Sequence, residues 1–214
     1  MARLVLGSGI AFAAGSYWYV GGFHDPNYRV GELPFDAVRV RYRPHARYFD
    51  DVFKHVVREF DYVRETHPGE DARYVGIFVD DPGPLKAKYG EDAYLRYAIG
   101  YVAEEGGDDD HQKVTQQAED GFREGILKGG RAVMADFPVP TLKPFDLISR
   151  YLMSHRVIPR VRNRQRICGV NVVGGLEYYH DGMVTVALPL DPDLPKEWML
   201  DGVESAKPPP VGTG

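Results

Sequence analysis

The stretch GGLEYYHDGMVTVALPL, residues 174–190, predicts a β-hairpin from which the rest of the fold can be worked out. Its Asp181-Gly182 pair is a strong turn signal, and apolar residues alternate along the second strand at Val184, Val186, Leu188 and Leu190. Glu177 breaks the pattern, because it stands among apolar and aromatic neighbours. A buried, unpaired carboxylate costs several kcal/mol or gives up its charge. This side chain therefore either turns to water or faces a cavity in which a ligand meets it.

The second half of the chain leads into this hairpin through a strand and a helix. RAVMADFP (131–138) reads as a strand, and Pro144 suits the first turn of the helix that follows. ICGVNVVGGLEYY (167–179) is the next strand. The helix is predicted to bury one apolar face, made of Phe145, Leu147, Ile148, Tyr151 and Leu152.

The first half of the chain repeats the same order of elements. AVRVRYR (37–43) alternates as a half-buried strand, and RYVGIFVDDP (73–82) and YLRYAIGYVA (94–103) are two further strands. Between the first of these strands and the other two lies a helix. Its apolar stripe consists of Phe49, Val52, Phe53, Val56, Val57, Phe60 and Val63.

These patterns predict an α+β fold in which tandem β-α-β-β modules, at 37–103 and 131–190, join their antiparallel sheets. Helices would cover one face of the sheet and leave a groove on the other. The domain as a whole is predicted over 37–195, after an apolar segment at 1–23 and a linker at 24–36. The acidic stretch between the modules, with a helix from about 112 to 120, is interpreted as a connector, and 196–214 as a disordered tail.

Composition limits the class of protein. With 214 residues, 43% hydrophobic and 27% charged, the chain is typical of a globular protein with a sizeable core. A net charge of −5 argues against a general polyanion binder, so nucleic acid is not expected to bind directly. Cys168 is the only cysteine, which excludes an intramolecular disulfide and favours a reducing compartment.

The N-terminal segment predicts a membrane anchor. Residues 4–23 carry no charge, and at about 1.5 Å per residue they just span the roughly 30 Å of a bilayer core. Tyr17, Trp18 and Tyr19 stand where an aromatic belt would lie, and the arginines that follow place the globular part on the cytoplasmic side. The alternative is a secretory signal peptide cleaved near AFA (11–13).

Four stretches resemble the GyrI-like (SOUL) small-molecule-binding superfamily and, within it, the testis-expressed protein 264 family. They are VRYRPHARYFDDVF (40–53), VGIFVDDP (75–82), HRVIP (155–159) and LEYYHDGMVTVALPL (176–190). The resemblance covers most of residues 4–195. It implies a GyrI-like domain behind a single transmembrane helix in the endoplasmic-reticulum membrane, facing the cytosol. It also implies a binding or adaptor role in reticulophagy, with autophagy or protein-quality-control partners.

The chain departs from this family at one point. A receptor of this kind needs an extended aromatic-x-x-aliphatic docking motif, but the segment after Leu200 has no aromatic residue. FDYV (60–63) and FDLI (145–148) match the motif but lie on predicted helices, whereas a docking peptide must be extended. The alternative function is a GyrI-like small-molecule binder or hydrolase.

The superfamily resemblance also implies that Glu177 lines a ligand groove between the modules. Tyr179 shares strand parity with Glu177, so both side chains point the same way. Tyr97 and Tyr101 share a parity on another strand and are expected to line the facing wall. An acid among aromatic rings would recognise cationic or polarised ligands. The alternative is that Glu177 pairs with an arginine across the sheet, and no catalytic residue or cofactor is predicted.

Two charged stretches are interpreted as ordinary surface. RVIPRVRNRQR (156–166) holds five arginines that either contact acidic lipids or nucleic acid or form a solvated helix end, the favoured interpretation. Pro159 is expected to kink or end that helix. DDDH (108–111) cannot converge on one metal ion, and the histidines show no pair at zinc-site spacing, so no metal site is predicted.

Overall fold

The fold combines strands and helices in this computed structural model, which describes residues 13–68, 72–90, 93–105, 121–140, 143–170, 173–198 and 200–208. Its strands are β1 Tyr28–Glu32, β2 Ala37–Tyr48, β3 Tyr74–Phe78, β4 Tyr94–Glu105, β5 Arg123–Lys128, β6 Arg131–Pro138, β7 Gly175–His180 and β8 Met183–Pro189. Its helices are α1 Phe49–Thr66, α2 Pro82–Tyr89, α3 Phe145–Leu152, α4 Ile158–Ile167 and α5 Leu194–Glu197, with a π-helical turn, Met153–Val157, between α3 and α4.

The strands form one antiparallel sheet in the order β1-β6-β8-β7-β3-β4-β2-β5. The triplet β2-β4-β3 and the triplet β6-β8-β7 are arranged symmetrically about the β3–β7 pair, where Gly76 lies opposite Glu177. Each triplet contains one β-α-β-β series, so the predicted α+β class is confirmed and the arrangement is compatible with a GyrI-like domain. The β7–β8 turn is also as predicted, with positive φ angles of 49° at Asp181 and 69° at Gly182.

Both faces of the sheet are covered. On one face, α1 and the α3–α4 region pack on a core that includes Phe60, Val63, Tyr97, Ile99 and Val184. On the other face, the predicted groove is absent from the described part of the chain, because the C-terminal segment packs there through Leu194, Trp198, Leu200 and Val203.

The tail prediction is therefore wrong over residues 196–198 and 200–208. Trp198 is 1% exposed, and its indole N–H donates a 2.9 Å hydrogen bond to the carbonyl oxygen of Lys128. Burial of this large aromatic side chain, together with Leu194, Leu200 and Val203, holds the segment on the sheet. Residues 209–214 lie outside the described part of the chain.

Two stretches interpreted as connections contain strands. β1 lies inside the predicted linker and pairs with β6, where Arg29 forms an ion pair with Asp136. β5 follows the acidic stretch and pairs with β2, with Leu127 fully buried. The predicted helix at 112–120 and DDDH (108–111) lie outside the described residues.

The predicted N-terminal anchor is not supported. Among the described residues, none of the helices is both long enough and apolar enough to traverse a bilayer, and residues 1–12 lie outside that part of the chain. Residues 13–19 are helical, and Val20 is 2% exposed. Tyr19 meets Phe145 edge to face at 5.4 Å, and Arg156 donates to the carbonyl oxygen of Gly22. The C-terminal end of the predicted anchor thus packs on the α3–α4 region.

Helix α3 exposes three of the five residues of its predicted apolar face, while Phe145 and Leu152 are partly buried. Leu147, Ile148 and Tyr151 are 42%, 44% and 52% exposed. Asp146, Ser149 and Arg150 are buried instead. Each of these three polar side chains has a partner in the fold, which offsets the cost of its burial: Asp146 contacts Arg64, Ser149 donates to the carbonyl oxygen of Pro138, and Arg150 contacts Tyr179.

Candidate functional site

A cavity of ≈ 230 Å³ lies over the β3–β7 seam, between α1 on one side and the α3–α4 region on the other. We call it the seam cavity. Its walls are almost entirely apolar, with Phe49, Val52, Phe53, Val56, Phe78, Leu95, Met153, Ile158, Leu176, Val186 and Leu188 among the lining residues. An apolar concave site with a few polar groups is the usual form of a small-molecule site.

The apolar stripe of α1 is only partly used by the core. Phe60 and Val63, in its second half, are fully buried. In its first half, Phe49, Val52 and Val56 are partly buried and Phe53 is 38% exposed, and all four line the seam cavity. The sequence predicted the whole stripe as core. The structure leaves half of it facing a space that another apolar molecule can fill.

Glu177 brings a carboxyl group to this apolar wall. It is 6% exposed and borders the seam cavity from β7. The hydroxyl of Tyr179 donates a 2.7 Å hydrogen bond to Oε2 of Glu177. Burial raises the pKa of Glu177, while the Tyr179 hydrogen bond and the charge of Arg150 act in the opposite direction. The predicted parity of Glu177 and Tyr179 agrees with this contact.

Arg150 completes a chain of three polar groups. Its NH1 donates a 3.1 Å hydrogen bond to the Tyr179 hydroxyl oxygen. The guanidinium lies 4.7 Å from the ring centroid of Phe60 and 4.8 Å from that of Tyr179. Its Nε is buried without a hydrogen-bond partner in the described structure. Sequence reasoning missed Arg150, because an arginine on an amphipathic helix normally faces solvent.

The four predicted site residues do not all lie together. Glu177 and Tyr179 line the seam cavity, whereas Tyr97 and Tyr101 are not among its lining residues. Tyr97 is fully buried on the same face of the sheet, and its hydroxyl group is hydrogen-bonded to Nδ1 of His55 at 2.8 Å. Tyr101 stacks on His67 at 4.1 Å. The parity of these two tyrosines was correct, but helix α1 packs over them.

Ion pairs lie at the rim of the seam cavity. Most arginines of the basic stretch, residues 156–166, make contacts within the chain. Asp80 pairs with Arg96 at 2.6 Å, and Asp81 pairs with Arg162. Arg156 contacts Gly22, Arg160 pairs with Asp25 at 3.8 Å, and Arg164 lies over the ring of Tyr28. These intramolecular contacts favour the structural interpretation of residues 156–166. Pro159 lies in the first turn of α4, directly after the π-helical turn that interrupts the regular helix, which agrees with the expected break in the helix at this proline.

A larger depression of ≈ 390 Å³ lies on the other side of Arg150 and Tyr179. Its lining includes Asp61, Arg64, Glu65, Lys143 and Asp181, so it is charged and open to solvent. In a depression open to solvent, water competes with a ligand for hydrogen bonds to the polar groups. The seam cavity is the better candidate, because it combines apolar walls with one desolvated acid.

No family model matches the chain, and no curated protein matches it in sequence. Several solved structures are similar to it in shape. The EcmrR C-terminal domain is 15% identical, covering 77% of this chain and 96% of that chain with a TM-score of 0.41. SAV2435 bound to tetraphenylphosphonium is 11% identical, covering 77% and 94% with a TM-score of 0.44.

A third similar structure is the integron cassette protein VCH_CASS2 from the mobile metagenome of Vibrio cholerae. It is 11% identical, covering 75% of this chain and 93% of that chain with a TM-score of 0.43. Likenesses at this level assign neither a family nor an activity. Neither they nor the described residues support the testis-expressed protein 264 family, the endoplasmic-reticulum membrane or autophagy partners.

Proposed function

We propose that this chain is a small-molecule-binding protein whose ligand is an apolar molecule with a cationic or hydrogen-bond-donating group. The ligand occupies the seam cavity, with its apolar part between α1 and the α3–α4 region. Glu177 meets the polar group. The observation that carries this proposal is the placement of a buried glutamate in the wall of a cavity that is lined mainly by apolar side chains.

The electrostatics of the site support this class of ligand. A desolvated carboxyl group is destabilised in its charged form, and this is what raises the pKa of Glu177. A cation placed beside it favours the charged form, and the attraction is strong where water is excluded. The rings of Phe53 and Phe78 at the same cavity add surfaces on which a cation is also stabilised.

We propose that the site binds its ligand without catalysing a reaction. Catalysis requires a second placed polar group or an activated water next to the acid. The hydroxyl of Tyr179 already donates to Glu177, and burial raises the pKa of Tyr179 well above its usual range, which makes it a poor base or nucleophile.

A second class of ligand is favoured by Arg150. Its buried Nε lacks a hydrogen-bond partner in the described structure, and Arg150 is one of the residues that line the seam cavity. If Glu177 is protonated, the charge at the cavity is that of Arg150, and an anionic amphiphile becomes the matching ligand.

A set of three probes of similar size separates these alternatives. Benzyltrimethylammonium is cationic, neopentylbenzene is its neutral carbon isostere, and phenylmethanesulfonate is anionic. We expect the cation to bind more tightly than the neutral probe to the purified protein, as measured by calorimetry and by NMR shifts of cavity methyl groups. We expect Glu177→Gln to abolish that preference and Glu65→Gln, an exposed control, to keep it. Preference for the sulfonate, lost in Arg150→Met, would support the anionic class, and equal affinity for all three would exclude both.

A further inference from the structure

Two histidines and a glutamate from separate elements converge away from the seam cavity. His45 lies near the end of β2, and His55 and Glu59 lie one turn apart on α1. One ligand atom from each, an imidazole nitrogen or a carboxylate oxygen, lies within 4.8 Å of the other two. The sequence gives no such signal, because ten positions separate the histidines and only the packing of α1 on β2 joins them.

The distances agree with the size of a metal site. Nε2 of His45 lies 3.4 Å from Oε2 of Glu59, and Nε2 of His55 lies 3.7 Å from Oε1. Ligands at 2.0–2.1 Å from a tetrahedral Zn²⁺ are about 3.4 Å apart. Both nitrogen–oxygen separations are therefore close to those around a tetrahedral Zn²⁺, and the three ligand atoms all lie within 4.8 Å of one another.

The burial of His45 also fits a metal ligand. Its Nε2 is buried with no hydrogen-bond partner in the described structure. That nitrogen lies 3.4 Å from Glu59, so a metal ion held between the two side chains would satisfy it.

Tyr97 fixes the orientation of the second histidine. Its hydroxyl group is 2.8 Å from Nδ1 of His55, while NH2 of Arg47 lies 2.7 Å from Nε2. Because a guanidinium only donates, Nε2 is the acceptor and Nδ1–H donates to the Tyr97 oxygen. A metal-binding histidine usually has this arrangement, with its other ring nitrogen donating to a neighbour.

Arg47 occupies the direction from which the ion would come. It lines a surface depression together with His55 and Glu59, so the guanidinium can leave toward solvent. Arg43 lies 3.5 Å from Glu59, and Arg58 also borders the depression, while Asp51 is the acid on the same rim. This positive surrounding weakens cation binding, and Arg47 competes for it directly.

We propose that His45, His55 and Glu59 form a binding site for a divalent transition metal, with Zn²⁺ as the first choice, in competition with Arg47. Two imidazoles and one carboxylate are ligands that Zn²⁺ accepts, and three protein ligands leave a position for water. The site ties β2 to α1 and is independent of the seam cavity.

The test is metal titration of the full chain after treatment with EDTA. We expect calorimetry to show one Zn²⁺ per chain, and Co²⁺ to give visible absorption bands of a site with nitrogen ligands. His45→Ala and Glu59→Gln should each lower the affinity for Zn²⁺ by at least about tenfold, since even indirect partners of a metal contribute that much. Arg47→Gln should raise it by at least about threefold, because a competing state is removed.

A control separates this site from adventitious histidine binding. His155→Ala changes a histidine on the exposed side of the π-helical turn, and it should leave the affinity unchanged. Zn²⁺ should also raise the midpoint of thermal unfolding of the wild type but not of Glu59→Gln. The proposal is overturned if the wild type takes up no stoichiometric Zn²⁺, or if His45→Ala and Glu59→Gln, still folded by circular dichroism, bind it as well as the wild type.

Discussion

Tyr179 donates a 2.7 Å hydrogen bond to Glu177, and both side chains project from β7 onto the helix-covered face of the sheet. Arg150 donates to the same hydroxyl oxygen at 3.1 Å. The acid is thus linked to a cation through a tyrosine instead of by direct pairing. All three residues of this chain line the seam cavity.

Replacing Glu177 by Gln should change how stability depends on pH. Burial raises the folded-state pKa of Glu177 above 4.5, so the folded protein binds a proton more tightly than the unfolded chain. Stability from this group is present at low pH and is lost as pH rises from about 4.5 through the folded-state pKa. Glu177→Gln removes that loss. We expect it to be more stable than the wild type at pH 8, by about 1 to 3 kcal/mol, and to lose this advantage near pH 4.

Urea unfolding at both pH values measures this difference. Glu65→Gln is the matched control, because the Glu65 side chain is 73% exposed. It should show no comparable pH-dependent gain. An equal or lower stability of Glu177→Gln at pH 8 would show that the carboxylate is well satisfied in the fold.

Tyr179→Phe should leave two buried groups without their shared partner. The hydroxyl group accepts from Arg150 and donates to Glu177, and its loss costs about 1 to 3 kcal/mol of unfolding free energy. Because that hydrogen bond lowers the pKa of Glu177, the same substitution should raise this pKa further. Side-chain ¹³C NMR of Glu177 checks the direction, and an unchanged or lower pKa would contradict the assignment.

The two tryptophans should respond very differently to truncation. Trp198→Ala removes a side chain that is 1% exposed and anchors the C-terminal segment, so it should cost about 3 to 5 kcal/mol. Trp18 is 71% exposed, and Trp18→Ala should change stability by no more than about 0.5 kcal/mol. Chemical unfolding of both variants measures this. Similar values for the two would mean that the C-terminal segment does not cover the sheet.

The orientation of α3 can be tested by two neighbouring substitutions. Ile148 is 44% exposed, so Ile148→Gln should change the unfolding free energy by no more than about 0.5 kcal/mol. Ser149 is fully buried and donates to the carbonyl oxygen of Pro138, so Ser149→Val should cost about 1 to 3 kcal/mol. The opposite ranking would place the apolar face of the helix against the core.

The sequence was sufficient for the elements with clear periodicity. The hairpin at 174–190 and the alternation in 37–43 predicted strands that the structure contains, and parity placed Glu177 beside Tyr179. The local sequence pattern was insufficient where contacts between residues far apart in the chain determine the structure. β1 is held by β6, more than a hundred residues away along the chain, and α3 turns its polar side inward because Tyr179, Arg64 and Pro138 offer partners there.

The candidate site was predictable only in part for the same reason. An acid among aromatic residues is visible in the sequence, but Arg150 is not, since nothing in FDLISRYL shows which side of the helix meets β7. Tyr97 and Tyr101 had the correct parity. Which side chains border a cavity depends on how α1 packs across the sheet.

The most direct test of the proposed function is the pKa of Glu177, followed by ¹³C NMR in the free protein and with saturating benzyltrimethylammonium. We expect a value above 4.5 in the free protein. We also expect a clear decrease when the cation binds, because a neighbouring positive charge favours the carboxylate. A pKa that is unperturbed in the free protein, or unchanged at full occupancy of the cation, would contradict the claim that Glu177 recognises the ligand's charged group.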